Sequence, residues 1–304
     1  MRPIYLDHHA TTPVDPQVLA AMLPYFSAAF GNPGSAHAYG WEAEAAVEQA
    51  REIIAAAIAA TPEEIIFTSG ATEANNLALI GAAEANLSRG RHLVTIATEH
   101  SAVLAPCRYL ESLGFELTVL PVQPDGLLDL MQLEQALRPD TILVSAMAAN
   151  NEIGVLQPLA EIGARCRDRG ILLHTDAAQA LGKIPLDVEA MSIDLMSLTA
   201  HKLYGPKGVG ALYVRRDRYP EMRPFLGGGD MIRDVGKDAV TYADPPLKFE
   251  AGTPGIVQMI GLGAALDYMT ALGIENIAAH ERSLRDYTRD RAGGAELAQR
   301  SGEC

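Results

Sequence analysis

The sequence predicts an α/β fold, a mostly parallel central sheet flanked by helices, with an incomplete smaller α/β unit at the C-terminal end. Three observations lead there. Between about Thr61 and Val214, short apolar runs alternate with segments of helical spacing. Polar and charged residues gather where those runs end, which is where open parallel sheets bind ligands. A stretch rich in Gly, Asp and Pro, from Gly227 to Pro246, then separates this region from two further helical patterns.

In chain order, residues 1–14 are read as a segment packing with the small unit, 15–254 as the large domain and 255–304 as a partial small domain. Glu42–Ala60 is rich in alanine and interrupted by Glu and Arg, the pattern of an amphipathic helix. The strand candidates are Ile65–Thr68, Leu93–Ala97, Leu117–Leu120, Ile142–Ala146, Leu172–Thr175, Leu195–Leu198 and Gly210–Val214. Val103–Leu113, Met131–Leu137 and Leu159–Arg169 carry helical spacing between them. Gly227–Pro246 reads as a long loop or hairpin insertion. Helical pattern resumes at Gly255–Leu272 and Ile274–Arg291, and the residues after Arg291 read as a frayed tail.

A chain of 304 residues with 48% hydrophobic and 20% charged content has the composition of a globular enzyme with a large core. With 24 Lys+Arg against 38 Asp+Glu the net charge is −14, which argues against a nucleic-acid partner because phosphate would be repelled. No apolar run is long enough to span a membrane, and the N-terminus lacks a signal-peptide pattern. The odd, irregularly spaced cysteines Cys107, Cys166 and Cys304 suggest neither a disulfide framework nor a metal site. A cytoplasmic setting is expected.

The chemistry concentrates at the predicted strand ends. One apolar run delivers Asp176 and the next delivers His201 and Lys202. A buried ion pair would account for these two, but they also suit an aromatic aldehyde cofactor. A lysine can form a Schiff base, and a carboxylate can keep a pyridinium nitrogen protonated. Thr68-Ser69-Gly70-Ala71-Thr72-Glu73 follows a strand and opens a helix, so backbone amides and the Thr72 hydroxyl can bind an anion. Simple N-capping by Ser69 or Thr72 is the bland account of that segment. His100 follows another strand and could stack on a ring or move protons, although a lone histidine is more often structural. Asn150-Asn151-Glu152-Ile153-Gly154 reads as a turn whose side chains reach the same place. Gln179 could donate to a phenolic oxygen, and Thr199 and His201 could join Thr72 at a phosphate. Taken together, these residues predict a site for pyridoxal 5'-phosphate.

Six segments then resemble the cysteine desulfurases, class V, fold-type I pyridoxal phosphate enzymes: Tyr5–Pro13, Gly31–Ser35, Thr68–Asn76, Asn150–Gly154, Thr175–Gln179 and Ala200–Gly208. The resemblance implies that Lys202 carries the Schiff base and that His100 stacks on the ring and assists proton transfer. It places Asp176 at the pyridine nitrogen and Gln179 at the phenolic oxygen. It assigns Ala71, Thr72, Thr199 and His201 to the phosphate and Asn151 to the cofactor and the substrate carboxylate. Thr253, in Glu250-Ala251-Gly252-Thr253-Pro254, would reach the phosphate of a partner subunit. The implied protein is a homodimer that converts L-cysteine to L-alanine and passes sulfur to an acceptor or scaffold protein, for iron–sulfur cluster assembly or other sulfur metabolism.

Up to about Arg216 the chain is similar to the housekeeping and nitrogenase branch, whereas Phe225–Ile232 and Phe249–Pro254 resemble the sulfur-mobilisation branch. Neither the family's nucleophilic cysteine loop nor its carboxylate-binding arginine motif is found. The expectation is therefore a truncated or frameshifted chain that binds cofactor but forms little or no persulfide. Leu262, Leu266 and Met269 are then expected to be exposed. Two other readings stay open: a related class V aminotransferase or lyase that uses no cysteine, and a non-catalytic dimer partner.

Overall fold

A computed structural model describes residues 3–236 and 240–292. Helices α1 (Pro16–Met22), α2 (Pro24–Ser27) and α3 (Ala38–Ala56) precede strand β1 (Ile65–Thr68). There follow α4 (Ala71–Ala85), β2 (His92–Ile96), α5 (Ser101–Ser112), β3 (Glu116–Leu120), α6 (Leu130–Ala136) and β4 (Thr141–Ser145). Next come α7 (Leu159–Asp168), β5 (Leu172–Asp176), β6 (Leu195–Thr199) and β7 (Gly210–Val214). A hairpin of β8 (Ile232–Val235) and β9 (Val240–Tyr242) occupies the Gly- and Pro-rich stretch, and α8 (Ile256–Leu272) and α9 (Ile274–Ala292) follow.

Seven strands form one sheet in the order β1-β7-β6-β5-β4-β2-β3. Strand β7 runs antiparallel to both neighbours, and the other pairings are parallel. The reversal follows from chain length. Only Ala200–Val209 joins β6 to β7, too little for the helical crossover that a parallel return needs.

Side chains alternate between two apolar layers, as the pleat requires. Ile65, Phe67, Val94, Ile96, Met196 and Leu198 face a layer that also holds Val47 and Ile54 of α3, Ile162 of α7 and Leu262 of α8. Ile66, Leu93, Leu143, Leu172, Leu195 and Leu212 face the layer of α4 and α5, with Leu77, Leu79, Val103 and Leu110. Most strands are buried along their whole length, which is why they read as continuous apolar runs.

The expected exposure of α8 is corrected by the structure. Leu262, Leu266 and Met269 are only 0%, 2% and 3% exposed. Small residues let α8 lie close on α3 and the β6–β7 loop: a Cβ at Gly263 would come within 2.9 Å of Ala50 in α3, and one at Gly261 within 2.7 Å of Pro206. Exposed apolar side chains occur instead on α9, at Leu284 and Tyr287. No single helix among the described residues is long and apolar enough to cross a membrane.

One ion pair ties α3 and β1 to the segment after the hairpin. Arg51 is buried and forms a two-pronged bond to Glu250, at 2.7 and 3.1 Å. Glu250 Oε1 also accepts from the Phe67 amide at 2.7 Å, and the guanidinium lies 4.7 Å over the Phe67 ring. Removing the carboxylate would leave the buried cation with only the half-exposed Glu48, at 3.1 Å, as a counter-ion. Glu250→Leu is expected to cost about 3–5 kcal/mol in urea unfolding, and adding Arg51→Met should restore part of that loss.

Candidate functional site

Beyond the carboxyl ends of β5 and β6 lies a cavity of about 870 Å³. Ala71, Thr72, His100, Asn151, Asp176, Gln179, Thr199, His201 and Lys202 all line it. Thr253 does not. It is exposed and lines a separate, smaller recess with Ser69 and Glu73.

Asp176 is the last residue of β5 and is 5% exposed. Its Oδ1 accepts from the Ala178 amide at 2.9 Å, and its Oδ2 accepts from Asn75 Nδ2 at 2.7 Å. The carboxylate is therefore fixed from its own turn and from α4. Below it on the same face of β5 is His174, buried between Ser145 Oγ at 2.8 Å and Ser197 Oγ at 3.0 Å. Burial pushes the His174 imidazole down to about 3, so it is neutral and acts as a cross-strand tie between β4, β5 and β6.

Lys202 sits in the loop that turns β6 back into β7. The N-terminal segment holds this loop in place. The amide and Oγ1 of Thr12 both donate to the His201 carbonyl, at 2.8 and 3.1 Å, and Thr12 Oγ1 accepts from the Tyr204 amide at 2.8 Å. Thr11 Oγ1 lies 3.1 Å from His201 Nδ1. On the other side a Cβ at Gly205 would meet Ala265 of α8 at 3.1 Å. Burial lowers the Lys202 ammonium below its ordinary 10.5, and the charge of Asp176 opposes that shift. The site thus holds a half-buried lysine and a fixed carboxylate in one cavity.

The first turn of α4 forms the anion cradle. Its N-cap is Gly70, at φ 156°, and no side chain caps the helix. The capping role considered for Ser69 or Thr72 is not filled. Instead the Ser69 amide donates to Glu73 Oε2 at 2.7 Å. A Cβ at Gly70 would meet nothing within 4 Å, so the space before the helix is open. First-turn amides have no intrahelical acceptor, and the helix dipole favours an anion there. Thr72 on α4, Thr199 at the end of β6 and His201 just beyond it line the same cavity.

The remaining predicted residues have defined local roles. His100 caps α5, accepting from the Ala102 amide at Nδ1 at 3.1 Å, which assigns the proton of the neutral ring to Nε2. Asn150 Oδ1 accepts from the amides of Glu152 and Ile153, both at 2.8 Å, and this builds the turn that carries Asn151 into the cavity wall. Gln179 donates from Nε2 to the His9 carbonyl at 2.9 Å, and its Oε1 accepts from Lys183 at 3.2 Å. Cys107 and Cys166 are buried, and desolvation pushes both thiols up to about 12. Cys304 lies outside the described residues.

Several residues that shape the site escaped the sequence reading. Asn75 holds Asp176, Thr12 pins the lysine loop and Lys183 orients Gln179. Asn75 had one readable signal, since it falls one helical turn after Ala71 among apolar neighbours. Thr12 depends on a contact between distant parts of the chain, whereas Lys183 lies only four residues from Gln179. No group of three or more metal-ligating residues occurs among the described residues.

The arrangement fits pyridoxal phosphate. One cavity contains an open helix N-terminus for a phosphate, a fixed carboxylate for a ring nitrogen and a half-buried lysine for a carbonyl carbon.

The class-V aminotransferase model matches residues 4–300. A mouse cysteine desulfurase is 54% identical over 268 residues, 88% of this chain and 55% of the mouse protein. The cysteine desulfurase IscS of Neisseria meningitidis is 52% identical over 285 residues, 93% of this chain and 67% of that protein. Among solved structures, SspA in complex with cysteine superposes with a TM-score of 0.79 at 43% identity, covering 88% of this chain and 73% of SspA. An apo cysteine desulfurase of Thermococcus onnurineus superposes with a TM-score of 0.88 at 32% identity, covering 94% and 72%. The chain spans just over half the length of the mammalian relatives it matches. It belongs to the class-V aminotransferase family, within its cysteine desulfurase group.

Proposed function

We propose that this chain binds pyridoxal phosphate and acts on L-cysteine as a cysteine desulfurase. The observation that carries this reading is that the half-buried Lys202 and the fixed Asp176 share one cavity. Bound pyridoxal phosphate supplies a carbonyl carbon for an amine and a ring that accepts an electron pair. The amides of Ala71 and Thr72, with Thr199 and His201, hold the phosphate. Asp176 keeps the proton on the ring nitrogen, and Gln179 faces the phenolic oxygen. Asn151 orients the substrate carboxylate. Lys202 Nζ takes and returns the substrate's α proton, and His100, through Nε2, is the second group able to carry one.

Sulfur acceptance is a separate step and needs a thiolate. Cys107 and Cys166 are unsuited to it, since both thiols are buried with a strongly raised pKa. That same observation favours a second reading, a class-V aminotransferase or lyase chemistry that uses no cysteine. A homodimer belongs to the leading reading: Thr253 is exposed and lies outside its own chain's cavity, which suits a contact with a partner's phosphate. An acceptor or scaffold protein for the sulfur, and a cytoplasmic location, complete this reading.

Two outcomes are expected. With pyridoxal phosphate, cysteine and an added small thiol that takes the sulfur as its persulfide, the wild-type chain should form alanine, and Lys202→Ala should form none above background, as measured by amino-acid analysis. A keto acid in place of alanine would select the second reading. The reactivity of Lys202 should also follow pH. Neutral amine is the attacking form, so the rate of borohydride-trapped labelling by pyridoxal phosphate should rise with pH through a midpoint below 10.5. The Asp176 charge is what raises that midpoint, so Asp176→Asn should move it lower still.

A further inference from the structure

Glu99, between β2 and α5, has no part in the chemistry described above. It is 6% exposed. Its Oε1 accepts from the Met147 amide at 2.6 Å, and its Oε2 is buried without a partner. No Lys, Arg or His among the described residues bonds to it. Asp176, the other buried carboxyl here, accepts two hydrogen bonds and influences a lysine. A second carboxyl group in the same dry interior disfavours a charge on Glu99, which has one donor where Asp176 has two. Burial first, and then the charge of Asp176, hold the Glu99 carboxyl well above the ordinary carboxylate range, with the Met147 amide opposing. Cys107 of α5 is the other titratable group that feels Glu99, and it is a neutral thiol.

A second unpaired atom completes the pattern. Asn75 is fully buried and gives Nδ2 to Asp176, while its Oδ1 has no partner. An amide placed this way lacks a donor on its carbonyl side. A Glu99 carboxyl without a proton would lack an acceptor's complement on Oε2. A proton on Glu99 Oε2 is the kind of donor that Asn75 Oδ1 lacks.

We propose that Glu99 is a positioning residue, protonated in the folded protein, whose O–H supplies Asn75 Oδ1 directly or through one buried water and so orients the Asn75 amide toward Asp176. Met147, Glu99, Asn75 and Asp176 then form a relay of donors that ends on the carboxylate. The neutral link in this relay keeps the negative charge on Asp176. The charge arrangement holds with or without cofactor, whereas its value for catalysis rests on the function proposed above.

Infrared spectroscopy of the cofactor-free protein at neutral pH reads the proton directly. A buried carboxylic-acid C=O band is expected in the wild type. It should vanish in Glu99→Gln and persist in Asp176→Asn. A wild type with no band that Glu99→Gln removes, or a band lost in Asp176→Asn instead, overturns the proposal. Pyridoxal phosphate affinity gives a second readout. Gln keeps an acceptor for Met147 and a donor for Asn75, so Glu99→Gln should stay within about threefold of wild type, whereas Glu99→Leu, which leaves two buried groups unpaired, should weaken binding about tenfold or more. Equal losses in the two variants would count against the relay. If Glu99→Leu does not fold, the infrared result on Glu99→Gln still decides. If no variant and no wild type binds cofactor, the functional reading fails while the infrared test stands.

Discussion

The requirement to keep a carboxylate charged at the buried end of β5 organises the site. A lone buried anion is costly, and an acid in a dry interior tends to take up a proton. Asp176 has two donors there, one from its own turn and one from Asn75 on α4. That second bond ties the start of α4 to the end of β5, and the N-terminus of the same helix lines the cavity. The proposed ring-nitrogen and phosphate contacts therefore fall on one helix. The neutral His174 below, tied to serines on both neighbouring strands, keeps β4, β5 and β6 in register beneath the carboxylate.

The lysine is held by parts of the chain far from it in sequence. Thr11 and Thr12 bind the carbonyl and ring of His201, and Thr12 also binds the amide of Tyr204. From the other side α8 packs against Gly205 and Pro206 through small residues that leave no room for a Cβ. The loop carrying Lys202 is thus clamped between the N-terminal segment and α8. Burial of Lys202 in this loop lowers its ammonium below the ordinary value.

The strands and the strand-end residues were legible in the sequence because both obey local rules. A strand buried on both faces reads as an apolar run, and a ligand site at its end appears as polar residues just beyond it. Nine of the ten predicted site residues line the cavity for that reason. Three features were not legible. The reversal of β7 depends on the length of a connection, and no residue type announces it. The burial of Leu262, Leu266 and Met269 depends on the fit of Gly261 and Gly263 against α1, α3 and the lysine loop, where the absence of side chains makes the contact. The roles of Asn75, Thr12 and Glu99 arise from pairs of residues tens of positions apart, and hydrophobic periodicity carries no trace of such pairs.

The central claim is that Asp176 is a fixed carboxylate aimed at a pyridine nitrogen. Its most direct test pairs a change in the protein with a change in the ligand. Dissociation constants would be measured for pyridoxal phosphate and for its analogue with carbon in place of the ring nitrogen, on wild type and on Asp176→Asn. A charge-assisted hydrogen bond is worth about 1.5–3 kcal/mol, so the wild type should prefer pyridoxal phosphate by roughly tenfold or more, and Asp176→Asn should lose most of that preference. Equal discrimination by the two proteins would contradict the account.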